Sequence, residues 1–212
     1  MKIITLNLKG LNLNEPRFLK IISVLKKLDA DIVVFQEAVN NISNELNSLL
    51  KYPYSDFRPC FDCSKDYGKG IFQKTKKIEG LLVLSNLKFK SKKINLPIIK
   101  GLDRWPRIAQ LCNFGEFKLC NLHLSKYKKS RDLEWSKLPR DSILIGDFNM
   151  KPSEIKIRKG KLKSSYVFKE YLSYPKDKTT FDYCLLPKGK FINLKLIRNV
   201  SDHNGLFLEI EV

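Results

Sequence analysis

The chain has 212 residues, with 40 Lys plus Arg against 22 Asp plus Glu, a formal net charge of +18 at pH 7. At 43% hydrophobic and 11% aromatic it can bury a full core, which excludes wholesale disorder. No apolar run approaches the roughly 18 residues of a membrane span, and the opening MKIITLNLKG is too short and too polar for a signal peptide. The length fits one domain, no Gly/Ser-rich linker divides it, and no repeat of roughly 20–50 residues is visible. The expectation is a single domain over residues 1–212, monomeric, intracellular and cytoplasmic. The charge excess points to an anionic partner: nucleic acid, an anionic lipid surface or a phosphorylated small molecule.

Five cysteines, an odd number without an export signal, argue for reduced thiols. Cys60 and Cys63 form a lone C-x-x-C, and a zinc site needs about four ligands. Cys112, Cys120 and Cys184 lie in strand-like apolar runs, where core packing is the default.

In chain order, Lys2 to Leu8 reads as a strand, with β-branched residues at its centre. Asn14-Glu15-Pro16 reads as a helix start, followed by Phe18, Ile21, Ile22, Leu25 and Leu28 at helical spacing. Asp31 to Phe35 is a short buried strand, so the first 36 residues form a strand–helix–strand unit that favours parallel pairing. A second helix is expected from about Asn41 to Leu50, and Tyr52 to Ile78 reads as an irregular insertion loop. The remainder reads as strands: Gly80 to Ser85, Ile94 to Ile99, Ile108 to Asn113, Phe117 to Leu124, Ser142 to Ile145, Phe181 to Leu186, Ile192 to Ile197 and Leu206 to Val212. Ile108 to Asn113 and Phe117 to Leu124 form a hairpin across Gly115. Many short strands and few helices imply two packed sheets with helices outside. Basic clusters at Lys74/Lys76/Lys77, Lys88/Lys90/Lys92/Lys93, Lys126/Lys128/Lys129/Arg131 and Lys156/Arg158/Lys159/Lys161/Lys163 are expected in connections between strands.

Six apolar segments carry, at or near one end, a residue that is costly to bury: Asn7, Glu37, His123, Asp147 with Asn149, Asp182, and Asp202 with His203. Taken singly, each has a plain explanation as a turn, a cap or a solvated loop residue. Together they are harder to dismiss, because the chain has only two histidines and both belong to the set. Carboxylates and amide oxygens are hard ligands suited to Mg²⁺ or Mn²⁺. A hard divalent ion, a carboxylate to activate water, and His plus Asn to stabilise a charged phosphorane make a phosphodiester hydrolase. Asp147 and Asn149 are two apart and in extended backbone would point the same way. Asp202 and His203 are adjacent and would diverge unless a turn re-aims one of them.

The motifs N-L-K-G-L, F-Q-E, G-L-L-V-L-S, N-L-H-L, G-D-F-N, T-F-D-Y and S-D-H occur in this order across nearly the whole chain. In this the sequence resembles the endonuclease/exonuclease/phosphatase superfamily. The resemblance implies a four-layer, two-sheet α/β sandwich with helices outside two packed mixed β-sheets. It implies that Glu37 is the principal ligand of Mg²⁺ (or Mn²⁺), with Asn7 and Asp202 near the metal. Asp147 would orient and deprotonate the attacking water, helped by Asn149. His203, its tautomer fixed by Asp182, would bond the scissile phosphate, and His123 would contact the phosphate or assist the leaving group. The family's abasic-site endonucleases usually carry Tyr followed by Pro-Asn where this chain has His123-Leu124-Ser125, and an acidic residue near Lys9. The N-L-H-L form looks more like the branch of deoxyribonuclease-like enzymes, tyrosyl-DNA phosphodiesterases, deadenylases and lipid or inositol phosphatases.

With +18 net charge, nucleic acid is the expected partner, DNA first, with Arg104, Arg107, Lys126, Lys128, Lys129 and Arg131 as contacts to it. Removal of tyrosyl adducts from DNA 5′ ends, and hydrolysis of inositol phosphates or sphingomyelin, are the alternatives. A non-catalytic nucleic-acid-binding module comes last.

Overall fold

The opening strand is apolar on both sides, and all its residues after Lys2 are buried. Such a strand belongs in the middle of a sheet covered on both faces. The computed structural model, which describes residues 1–62, 78–103, 105–159, 165–166 and 172–211, places it there. The elements are β1 (Lys2–Asn7), α1 (Pro16–Leu28), β2 (Ile32–Val39), α2 (Asn40–Leu50), β3 (Tyr54–Asp62), β4 (Ile78–Ser85), β5 (Lys90–Asn95) and β6 (Ile108–Asn113). They continue with β7 (Lys118–His123), α3 (Lys128–Ser136), β8 (Ile143–Asp147), α4 (Pro152–Lys159), β9 (Ser165–Tyr166), β10 (Asp182–Leu186), β11 (Lys190–Ile197) and β12 (Gly205–Glu211).

One sheet has the order β11-β12-β1-β2-β4-β3 and the other β5-β6-β7-β8-β10-β9. Both are mixed: β1–β2 and β7–β8 pair in parallel and the other neighbours are antiparallel. Alternation along β1 sends Ile3 into the core between the sheets, with Val34, Val83, Leu119, Ile145 and Leu208. Ile4 and Leu6 face the other way, onto Phe18, Ile21 and Leu25 of α1 and Ile42 and Leu46 of α2. The second sheet's outer face buries Cys120, Leu144 and Tyr183 with Trp135 of α3 and Ile155 of α4. Three cores between four layers make the α/β sandwich expected from the sequence.

Several local expectations change. The stretch read as an insertion loop begins with β3, an edge strand whose Pro59 cannot donate to a ladder and whose Asp56 and Arg58 break the apolar alternation. The strand expected at Ile94 to Ile99 is instead β5, another edge strand, which carries Lys90, Lys92 and Lys93. Lysine on an edge strand discourages pairing with a further chain, so this cluster does not sit in a connection. Lys128, Lys129 and Arg131 lie on α3, and Lys156 and Arg158 on α4, two helices the sequence reading lacked. Helix α1 starts at Pro16 with Glu15 at its N-cap; the Glu15 carboxylate accepts from the Asn12 amide N–H and from Arg17 rather than capping the helix. Cys63, Lys74, Lys76, Lys77, Arg104, Lys161 and Lys163 lie outside the described residues.

Gly146 shows how tightly the sheets close beneath the strand ends. Its φ is +133°, and a Cβ there would stand 2.2 Å from the Leu122 carbonyl oxygen and 3.0 Å from Gln36 Nε2. Gly115, in the β6–β7 turn at φ +93°, has open space around it. Gly146→Ala is expected to lower stability by on the order of 3 kcal/mol or more, and Gly115→Ala by about 1 kcal/mol. Urea unfolding of the two variants measures the difference.

Candidate active site

One edge of the sandwich collects the costly polar residues, and strand direction explains why. There β1, β2, β7 and β8 reach their C-terminal ends, bringing Asn7, Glu37, His123 and Asp147. The antiparallel strands β4, β6, β10 and β12 start at the same edge, bringing Glu79, Arg107, Asp182 and, two residues ahead of β12, His203.

Local backbone aims the side chains. The β2–β4 register shifts between Phe35 and Ala38, and Glu37 within that bulge has φ +50°. Bulges of this kind re-aim a side chain beside a site. Strand β8 ends at Asp147, and Asn149 follows at φ +50° in a turn in which the Asn149 amide N–H donates to Asp147 Oδ1 at 2.9 Å. The turn removes the extended geometry expected for the Asp147–Asn149 pair, and Asn149 Nδ2 donates to the Leu124 carbonyl at 2.9 Å.

Asp147 is the centre. Its carboxylate is buried, and Asn7 Nδ2 donates to it at 3.0 Å while also donating to Glu37 Oε1 at 3.1 Å. One amide thus bridges a carboxylate from each sheet. His123 Nε2 stands 3.6 Å and His203 Nε2 3.9 Å from Asp147 Oδ2. Burial, then the Asp182 charge, pushes the Asp147 carboxyl up to about 7, against the pull of His203 and the Asn149 amide.

The two histidines have opposite surroundings. His203 Nδ1 bonds Asp182 Oδ2 at 2.8 Å, and the Tyr174 ring lies 4.7 Å from its ring. Burial alone would lower the His203 pKa, but the bond to Asp182 and the charges of Asp182, Asp147 and Asp202 raise it to about 9. His203 is therefore an imidazolium at neutral pH. For His123, burial comes first, and the charges of Arg107 and His203 add to it, holding the ring well below its ordinary value.

Glu37 keeps its hard oxygens partly accessible, its side chain 28% exposed beside His123 and Asn7, which suits Mg²⁺ or Mn²⁺. Asn7 spends its amide hydrogens on the two carboxylates, and its oxygen accepts from the Lys9 N–H at 2.9 Å. Asp202 turns away from His203 to pair with Lys9, Nζ to Oδ2 2.9 Å; burial would raise its pKa, but the Lys9 bond and the His203 and Lys9 charges lower it. Asp147, Asp182 and His203 also bring ligand atoms within 4.8 Å of one another. There the imidazolium already supplies the positive charge that would otherwise come from a metal, so Glu37 is the better anchor.

Of the expected nucleic-acid contacts, Arg107 reaches the site through His123, Lys126 is exposed in a small cleft that Arg107 also lines, and Lys129 is exposed on α3. Lys128 pairs with Asp132. Arg131 is a correction: it is buried, bonded to both Glu154 oxygens and to the Ser125 and Lys126 carbonyls, so it shapes the loop after His123. The sequence reading passed over Glu79. Burial and the Glu37 charge raise its carboxyl to about 7, against the pull of Arg107. Its signal was a carboxylate at the start of an antiparallel strand, the mirror of those at the ends of parallel ones.

Residues 4–203 match the Endonuclease/Exonuclease/phosphatase family, and the chain belongs to this family, whose members are hydrolases acting on phosphoester bonds. The solved structure of an endonuclease/exonuclease/phosphatase from Beutenbergia cavernae is similar over the whole chain and 71% of its own, with TM-score 0.78 and 14% identity. D. rerio TDP2 complexed with single strand DNA product is similar over the whole chain and 99% of its own, with TM-score 0.68 and 20% identity. A mannosyl-6-phosphatase from Bacteroides thetaiotaomicron is similar over the full length of both chains, with TM-score 0.67 and 16% identity. No protein of curated function matches the chain.

His203 holds its proton more tightly folded than unfolded. Its pairing thus adds stability in full below about pH 6.5, and that contribution disappears as the pH rises through about 9. Asp182→Asn should remove most of it. An NMR titration is expected to place the wild-type His203 midpoint near 9, and the variant's lower by at least about one unit.

Proposed function

We propose that the protein is a divalent-metal-dependent phosphodiesterase that hydrolyses nucleic acid, with DNA the first substrate, by attack of an activated water. The observation that carries this reading is Asp147, a buried carboxylate raised to about 7 between two imidazoles of opposite character. A general base is most effective when its pKa lies near the working pH. Asp147 takes the proton of a water whose oxygen attacks phosphorus, and the bond from phosphorus to the leaving oxygen breaks. His203, charged and held by Asp182, faces the negative charge that builds on the phosphate. His123 contributes Nε2 from the other side, and Asn149 helps to hold the phosphate. Glu37, beside Asn7, would hold Mg²⁺ or Mn²⁺, which supplies Lewis-acid charge to the phosphate when bound.

A cleft of about 840 Å³ lined in part by Asn204, next to His203, and Thr180, two residues before Asp182, supports a polyanionic substrate. Lys156, Lys178 and Arg198 line it over Leu172, Pro175 and Leu196, with no carboxylate among its described lining residues. The D. rerio TDP2 complex with a single strand DNA product gives further support. A single strand through this cleft would owe much of its affinity to counterion release.

Glu37→Gln is expected to abolish metal-dependent hydrolysis of labelled DNA while leaving DNA affinity largely intact. Intact DNA and RNA with wild-type protein, in both Mg²⁺ and Mn²⁺, would remove the nuclease reading and favour a smaller phosphoester. Replacing Lys156, Lys178 and Arg198 together by Ala should reduce the slope of log affinity against log salt by about 2. An unchanged slope would take the strand out of this cleft.

A further inference from the structure

Arg107 directly precedes β6 and reaches across the sheet edge to His123. Its Nη1 stands 3.0 Å from His123 Nδ1. A guanidinium carries only donors and keeps its charge at any ordinary pH. His123 Nδ1 must therefore accept, with its lone pair facing Arg107. The ring's proton is then on Nε2, the nitrogen that faces the site, 3.6 Å from Asp147 Oδ2 and 3.9 Å from Glu37 Oε1. Which imidazole nitrogen is protonated is set by the bond the other one makes. His203 bonds a carboxylate through Nδ1, whereas His123 bonds a cation.

We infer that Arg107 is a positioning residue, which fixes His123 in the Nε2–H tautomer so that this imidazole presents a standing hydrogen-bond donor to the substrate phosphate. The word phosphate rests on the phosphodiesterase reading above; the tautomer does not.

The neighbourhood holds Arg107 in place. The Asp103 carboxylate accepts from the Ile99 amide N–H at 2.7 Å, Ser125 Oγ at 2.8 Å and Ser130 Oγ at 2.6 Å. The Ser125 amide N–H donates to Glu134 Oε2 at 2.9 Å. These bonds tie the segment before β6 to the loop that leaves His123. Glu79, Asp103 and Glu134 all lie close enough for the Arg107 charge to lower their pKa values, so the guanidinium sits within a ring of carboxylates. A proton on His123 Nδ1 would instead set two donors against each other.

A chain with two histidines makes the test direct. A long-range ¹H–¹⁵N spectrum of the ¹⁵N-labelled protein holds two imidazole patterns, and His203→Gln identifies the one from His123. The wild type is expected to show His123 protonated at Nε2 and bare at Nδ1. Arg107→Met should convert it to a mixture of tautomers. Arg107→Lys, which also only donates, should restore the Nε2–H pattern. In turnover, Arg107→Met should lower kcat about 10–100-fold with a smaller change in KM. A wild-type His123 protonated at Nδ1, or a pattern unmoved by Arg107→Met, overturns the inference. The spectrum needs no substrate: an Nε2–H signature that responds to Arg107→Met in a protein without diesterase activity would sink the functional reading and uphold the tautomer assignment.

Discussion

A carboxylate buried away from bulk solvent must have partners or lose its charge. Asp147 is in that position, and its partners come from both sheets: the Asn7 amide from β1 and the His203 imidazolium ahead of β12 on one side, and the Asn149 N–H of its own turn on the other, all working against the charge of Asp182. The requirement fixes more than one side chain. Asn7 can bridge Glu37 and Asp147 only if β1, β2 and β8 end at the same level. His203 can face Asp147 only if the bend before β12 stands opposite the start of β10. The depth of burial that lifts Asp147 to about 7 is thus a consequence of how the sheets are stacked.

Aliphatic packing alone would not set that stacking. The core between the sheets is mostly Ile, Val and Leu, whose contacts are non-directional. Beneath the site, buried amides supply direction. Gln36 Nε2 donates to Asn121 Oδ1 at 2.8 Å across the gap between sheets, and Asn121 Nδ2 donates to the Phe35 carbonyl at 3.1 Å. Further out, Gln110 Nε2 bonds the Asp56 carbonyl and carboxylate at 2.9 and 2.8 Å. An amide displaced from such a network costs about 1–3 kcal/mol as an unsatisfied group. A slip of one sheet over the other would break several of these bonds at once. Gly146 belongs to the same device, since only a missing side chain lets Gln36 and the Leu122 carbonyl come so near β8.

Legibility in the sequence followed burial. Strands covered on both faces, such as β1, β8 and β10, are continuous apolar runs and were readable to within a residue or two. Edge strands were not, because one side of β3 and β5 is free to carry Pro, Arg or Lys. Helices α3 and α4 escaped notice because each buries only a few residues: in α3 these include Ser130, Arg131 and Glu134, which read as solvated surface in a list of residue types. The site residues Asn7, Glu37, His123, Asp147, Asp182 and His203 stood out because each interrupts or ends an apolar run. Glu79 and Arg107 come just where such runs begin, where a charged residue looks like ordinary loop: Glu79 drew no reading at all, and Arg107 only that of a contact to nucleic acid. Arg131 shows the converse: its place in a basic cluster implied exposure, while its bonds to Glu154 and to two loop carbonyls turned it inward.

The net charge of +18 and the acidity of the site pull in opposite directions, and the structure separates them by distance. Cations such as Lys126, in a small cleft with Arg107, and Lys156, Lys178 and Arg198, in the cleft next to Asn204, stand outside the carboxylate cluster, where they raise the local concentration of an anion and are screened by salt. Carboxylates occupy the centre, where a low dielectric makes each charge felt by its neighbours. An anion drawn in by these cations would be repelled by Asp147, Asp182 and Glu37 unless positive charge met it there. His203 supplies one such charge, fixed by Asp182. His123 cannot supply a second while Arg107 holds its other nitrogen, so it serves as a neutral donor. The remaining imbalance lies at Glu37, which is open to solvent at the end of β2 and is where a divalent ion would complete the charge.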